Sequence, residues 1–376
     1  MSRPLLDQSL AGQSRALAAL EAALTTGPAH AYLFVGPDGS GKRDAARAFS
    51  AELLAQGAED PEGVRRRAMR VPSPHPDLVW VEPEGASHLV ETIRGEVIRG
   101  AALRPSEGQR RVFVIDDAAA MRDESQNALL KTLEEPGGFA HFILLVRARE
   151  LILPTIASRC SVVEFSALPV EVVLERLGAG RDERAIAAAR LSAGDLGLAR
   201  LLVSESGEAI RSAAERAARA ALEDPQPPEP WREMLELAKA AGDQAGEAEE
   251  ERLLELGEGT GRGGSKGKLR SDAESQVKRI IRRQRTEVLE LELRLCAAWY
   301  RDLAVVSADA GDLVFNHDRQ AELAADAQGL SPGRAADAVA LVNDTRRRLR
   351  MNASEDLALD ALWLRLGSLL TGASGN

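Results

Sequence analysis

Seven residues near the start of the chain, Gly36, Pro37, Asp38, Gly39, Ser40, Gly41 and Lys42, constrain its fold more than any other feature. They follow the apolar run Ala31 to Val35 and open a helical pattern, the strand, loop and helix context that makes a phosphate-binding loop of the Walker A type credible. In such a loop successive backbone N–H groups and the helix N-terminus surround phosphate oxygens. The glycines permit the tight curvature, and Lys42 neutralises charge on the β and γ phosphates. The next position, where a Ser or Thr hydroxyl ordinarily holds magnesium, is Arg43. A guanidinium offers five donors and no acceptor, so Arg43 cannot ligate the ion. Two readings stay open at this point: a loop kept for architecture, and weak nucleotide binding by the loop amides and Lys42.

The runs Arg111 to Ile115 and His141 to Val146 are short and rich in β-branched and aromatic residues, with helical stretches between them. That alternation predicts a parallel sheet covered by helices over the first 166 residues. Arg111 to Ile115 ends in Asp116 and Asp117, as a Walker B strand should. Asp116 takes the place of the metal-binding carboxylate and Asp117 that of a water-activating glutamate. Asp117 is one methylene short, and about an ångström of misplacement can cost roughly a hundredfold in rate.

A chain of 376 residues exceeds what one core ordinarily organises. From Pro169 the sequence turns alanine- and leucine-rich with helical periodicity, which predicts a small helical domain over 167–222. Prolines 225, 227, 228 and 230 cannot continue a helix and mark the boundary to an all-helical domain over 223–376. Within it the glycine-rich stretch 257–272 reads as a flexible loop, and Val288, Leu291, Leu295 and Trp299 recur at helical spacing as core.

Composition excludes several functions. With 48 basic against 58 acidic side chains the net charge is −10, the wrong sign for a chain that coats nucleic acid, so any DNA contact must be local. Lys278, Arg279, Arg282, Arg283 and Arg285 spread around a helix and read as solvated, with contact to a phosphate backbone the alternative; Arg65 to Arg67 read the same way, and the acidic stretch Glu247 to Glu251 reads as a solvated face. The longest apolar runs, such as Phe142 to Val146, are too short to cross a bilayer, and the first ten residues lack the apolar core of a signal peptide, so a cytoplasmic location is expected. Two cysteines, Cys160 and Cys296, supply neither a disulfide framework nor a zinc site, and no metal-ligand set is expected.

After the His141 to Val146 strand come Leu153, Pro154, Thr155, Ile156, Ala157, Ser158, Arg159 and Cys160, and here the chain resembles AAA+ clamp-loader subunits of bacterial DNA polymerase III. The stretch Asn127 to Pro136, reading Asn-Ala-Leu-Leu-Lys-Thr-Leu-Glu-Glu-Pro, matches the same family closely. Gly12-Gln13, His30 to Phe34 and His75 to Leu78 add to the likeness, which is greatest for the delta-prime family and runs from Leu6 to the C-terminus. The resemblance implies an α/β P-loop (AAA+, RecA-like) module over 1–166, a helical lid over 167–222 and an all-α C-terminal collar over 223–376 through which subunits assemble.

In that family the arginine of the Ser-Arg-Cys motif points out of its own subunit at ATP held by a neighbour. The resemblance therefore makes Arg159 a trans-acting arginine finger, with Ser158 and Cys160 as its motif neighbours. Gly36, Gly39, Gly41, Lys42, Arg43, Asp116 and Asp117 become a degenerate nucleotide site. Arg147 stands where the first phosphate sensor is usually Thr or Asn, and Gly197 where the lid's sensor arginine would be. Many relatives carry four zinc-binding cysteines between Gln56 and His75; this chain has none there, so no zinc is expected and His75 reads as a structural or capping residue. The expected function is an ATPase-inactive stator of the clamp loader. ATP and magnesium would be held by a neighbouring gamma/tau motor subunit, the delta subunit would be a further partner, and the sliding clamp and primed DNA would be met through the assembly. The alternatives are an autonomous AAA+ ATPase and a gamma/tau-type motor subunit.

Overall fold

The computed structural model describes residues 4–83, 87–178, 180, 182–223, 226–259, 266–350 and 353–371. The chain divides into two compact units, one formed by the residues up to Arg176 together with Ala193–Gly197, the other by Leu177–Ser192 and the residues from Leu198 onward.

The first unit is built on a five-stranded sheet: β1 (Ala31–Val35), β2 (Leu78–Val81), β3 (Arg111–Ile115), β4 (Ala140–Val146) and β5 (Ser161–Glu164). The spatial order is β2-β3-β4-β1-β5, and every pairing is parallel. The three strands expected from the sequence are its centre; β2 and β5 are four-residue edges. All seven residues of β4 are buried, as a strand covered on both faces requires. On one face Phe34, Val112, Val114 and Ile143 form a core with Phe49 of the helix Lys42–Ala55. On the other, Leu33, Phe113, Phe142 and Leu144 pack with Leu129 and Leu133 of the helix Asp123–Glu134.

The second unit is all helical among its described residues. The stretch 167–222, expected as a lid, is divided between the two units, with Leu177–Ser192 and the residues from Leu198 onward in the second. Its helix Glu205–Ala220 contributes Ile210, Ala213, Ala214, Ala217 and Ala218 to one core with Trp231, Trp299, Tyr300 and Trp363. A run of alanines on one helix face lets large aromatics approach closely, and each aromatic polar atom finds an acceptor. Trp363 Nε1 donates to Ala217 O at 2.7 Å, Tyr300 OH to Ala218 O at 2.9 Å and Trp299 Nε1 to Asp326 Oδ2 at 3.2 Å. Val288, Leu295 and Trp299 are buried as the spacing predicts, with Leu291 packed against them.

The stretch 257–272 differs from the expected loop. The helix Arg232–Gly259 covers its start and the helix Lys266–Ser307 its end, because flanking helical turns extend into the glycines; 260–265 lie outside the described residues. The basic run on the second of these helices is engaged locally: Arg283 pairs with Glu287 at 2.8 Å and Arg285 with Glu355.

Candidate functional site

β1 delivers the chain into the phosphate loop. Gly36 N donates to Val146 O at 3.1 Å, extending the sheet by one bond. Gly39 and Gly41 then take left-handed backbone angles, φ +67° and +87°, which glycine reaches without strain. The turn at Gly41 starts the helix Lys42–Ala55. Gly39 is also approached closely, since the Cγ of Asp195 lies 2.0 Å from where a β-carbon on Gly39 would stand. An acidic side chain is thereby packed against the loop that would hold phosphate.

Lys42 is buried, and its Nζ donates to Pro37 O at 2.9 Å and lies 3.5 Å from Asp38 Oδ1. Burial pushes the pKa of its ammonium down, with Asp38 opposing. Arg147, the residue that follows β4, turns back to the same loop, its Nε 2.9 Å from Asp38 Oδ2. Asp38 thus sits between two cations of its own chain.

Arg43 lies across the end of β3. Its Nε is 2.8 Å from Asp116 Oδ2, its NH2 pairs with Glu82, and its guanidinium lies 5.9 Å from the Trp80 ring centre, with Arg47 on the same ring at 4.4 Å. Burial raises the Asp116 carboxyl above its ordinary range; Arg43 pulls it down and Glu82 pushes it up again. Asp117 follows in a left-handed conformation, φ 44°, with its N–H donating to Asp116 Oδ1 at 3.0 Å. The buried His88 donates from Nε2 to Asp116 O at 2.8 Å and lies 3.2 Å from Asp117 O, fixing this turn. These donors do not suit magnesium. The carboxylate that would bind it is committed to a guanidinium, and a hydroxyl ligand is replaced by the same guanidinium.

The Ser158-Arg159-Cys160 turn ends the short helix Pro154–Ala157. Cys160 is largely enclosed, and burial pushes its thiol up to about 12, so it is an inert packing group rather than a nucleophile. Ser158 Oγ donates to Thr155 O at 3.0 Å. Arg159 remains partly exposed, with NH1 donating to Thr155 O at 2.8 Å and NH2 paired with Glu134.

The structure therefore brings Gly36, Gly39, Gly41, Lys42, Arg43, Asp116 and Asp117 together around one strand-end cleft, and sets Ser158, Arg159 and Cys160 at a separate turn. Sequence reasoning missed Asp38, Glu82, His88, Glu134 and Asp195. Asp38, inside the quoted Gly36 to Lys42 loop, and Glu134, inside the quoted Asn127 to Pro136 stretch, lay in signals that could have found them. His75 is buried, and its Nδ1 accepts from Asp77 N at 3.2 Å, a capping role. Arg65 and Arg67 are paired with Glu52 and Glu107.

Residues 12–169 match the family model described as DNA polymerase III, delta subunit. The DNA polymerase III subunit delta' of Pseudomonas aeruginosa is 36% identical over 136 residues, 35% of this chain and 42% of that protein. The DNA polymerase III subunit gamma/tau of Mycobacterium bovis is 36% identical over 171 residues, 44% of this chain and 30% of that protein. The matched part thus spans less than half the length of these curated relatives. A solved structure, a DNA polymerase III gamma subunit-related protein of Thermotoga maritima, shares the fold with a TM-score of 0.50 at 17% identity, over 95% of this chain and 99% of that one. The phosphate loop, the Asp116 strand end and the Arg159 turn all fall inside the matched residues, and it is over residues 12–169 that the chain is similar to DNA polymerase III clamp-loader subunits of the delta' and gamma/tau kinds.

Proposed function

We propose that the chain is the ATPase-inactive stator of a cytoplasmic DNA polymerase III clamp loader. It supplies Arg159 in trans to ATP held by a neighbouring gamma/tau-type motor subunit. Hydrolysis there is coupled to opening and release of the sliding clamp on primed DNA, and a delta subunit completes the assembly. The observation that carries the inactive half of this reading is the Arg43–Asp116 pair, 2.8 Å long, at the place where a working site holds magnesium. Arg147 on Asp38 and Asp195 against Gly39 support it. The trans half rests on Arg159, a cation partly open to solvent on a turn away from its own loop.

A motor-subunit reading is favoured by the gamma/tau likeness, which covers more of the chain than the delta' likeness does. It requires Arg43 to leave Asp116 when nucleotide arrives. In the reconstituted clamp loader, Arg159→Ala is expected to slow ATP hydrolysis at least severalfold while the assembly stays intact by gel filtration. Removal of such an arginine costs about 10³ to 10⁵ at a single site in phosphoryl-transfer systems. ATPase activity equal to wild type would refute the trans finger.

A further inference from the structure

Arg159 does not wait in solvent as a free side chain. Its NH1 donates to Thr155 O at 2.8 Å and to Ser158 Oγ at 3.4 Å, and its NH2 donates to Glu134. Thr155 and Ser158 belong to its own turn, so they hold the near end of the guanidinium wherever the chain carries that turn. Glu134 is different. It is the last residue of the helix Asp123–Glu134, 25 residues away in sequence, and its side chain is about half exposed. An exposed ion pair of this kind adds little to stability, and the helix needs no acidic residue at its C-terminal end, where the macrodipole disfavours one.

The donor count shows what the pair leaves available. A guanidinium has five N–H groups, and these three hydrogen bonds use three of them, leaving two. Two N–H groups on a planar fork can grip a pair of phosphate oxygens. The acceptors in this chain thus fix the plane of the fork without exhausting it.

We propose that Glu134 is a positioning residue for the Arg159 finger, holding its guanidinium in a fixed plane with two N–H groups left for a neighbour's phosphate. The proposal rests on the trans-finger reading. A preordered cation does not have to be immobilised as the transition state forms, so Glu134 acts on the rate of hydrolysis and not on how tightly the neighbour holds ATP.

The test is the ATPase of the reconstituted clamp loader, with clamp and primed DNA, for Glu134→Ala, Glu134→Gln, Glu135→Ala and Arg159→Ala. Glu135, also exposed, carries the same charge change without bonding Arg159. Glu134→Ala is expected to lower kcat at least threefold with KM for ATP changed less than twofold. Glu134→Gln, whose amide oxygen still accepts from Arg159, is expected to keep most of the rate, and Glu135→Ala all of it. With Arg159→Ala already present, Glu134→Ala is expected to add nothing. If Arg159→Ala slows the assembly but Glu134→Ala matches Glu135→Ala, the finger stands and the positioning role falls. An additional loss from Glu134→Ala in the Arg159→Ala background also overturns it, since Glu134 would then act by another route. If Arg159→Ala itself has no effect, the finger reading fails and takes this one with it.

Discussion

Arg43 and Asp116, 73 positions apart in the chain, meet with Nε 2.8 Å from Oδ2. A cation from the start of the loop's own helix thus rests on the carboxylate at the end of β3. The pair converts a missing hydroxyl, which the sequence reports, into a filled site, which it does not. Removing the arginine and restoring the hydroxyl should therefore reopen the cleft. Arg43→Thr is expected to bind MgATP at least tenfold more tightly than the wild-type chain, with turnover still at background because Asp117 remains one methylene short. Unchanged affinity in a fluorescent-nucleotide titration would show that Arg43 is not what closes the site.

The strand–loop–helix context of Gly36 to Lys42 and the acidic end of β3 were legible because both are local patterns, set by hydrophobic run length and glycine placement. The role of Arg43 was not, because it depends on Asp116 and Glu82 arriving from other strands. Asp195 against Gly39 is harder still, since the residues are 156 positions apart and nothing in Gly194-Asp195-Leu196 marks a contact. The edge strands β2 and β5 are four residues long, too short for alternation to stand out. The lid and collar were separated at the prolines on composition alone. Alanines on Glu205–Ala220 nevertheless pack under Trp363 and Tyr300 beyond them, a contact that periodicity within either segment cannot reveal.

A buried ion pair in the second unit gives a stability test. Arg211 is 3% exposed and holds Asp318 with both terminal nitrogens, at 2.8 and 2.6 Å, and Asn316 Oδ1 at 2.9 Å. Burial alone would push the Asp318 carboxyl up, but Arg211 overrides it and the net shift is downward. Arg211→Ala takes the bidentate partner from a buried carboxylate and leaves it Arg319, whose NH1 lies 3.1 Å from Asp318 Oδ2; the loss is expected to be about 3 kcal/mol, read as a lowered urea midpoint. Arg211→Ala with Asp318→Ala is expected to lose less than the single change. Because the folded pKa of Asp318 is depressed, its stabilisation is present above the unfolded carboxylate pKa and fades as pH falls through the folded value.

Glu292 has the opposite sign. It is fully buried, neither carboxylate oxygen has a hydrogen-bond partner, and burial, with Glu233 adding to it, pushes its carboxyl up to about 9 from an ordinary 4.5. The folded state keeps the proton that the unfolded chain releases, so its contribution is intact below the unfolded pKa. It is lost at about 1.4 kcal/mol per pH unit as pH rises toward the folded value. Glu292→Gln keeps the shape without the charge and is expected to stabilise the protein by roughly 3 kcal/mol at pH 7 and by almost nothing near pH 4.5. A melting-temperature difference that stays flat between those pH values would contradict the assignment.

The central claim, a nucleotide site occupied by its own side chains, is tested most directly by titrating the purified chain alone with a fluorescent ATP analogue and magnesium while following phosphate release. The Arg43–Asp116 and Arg147–Asp38 pairs predict no saturable binding at micromolar nucleotide and no release above background. Tight, magnesium-dependent binding with turnover would contradict the account, because it would mean that Arg43 yields Asp116 to the metal and that the chain is a motor in its own right.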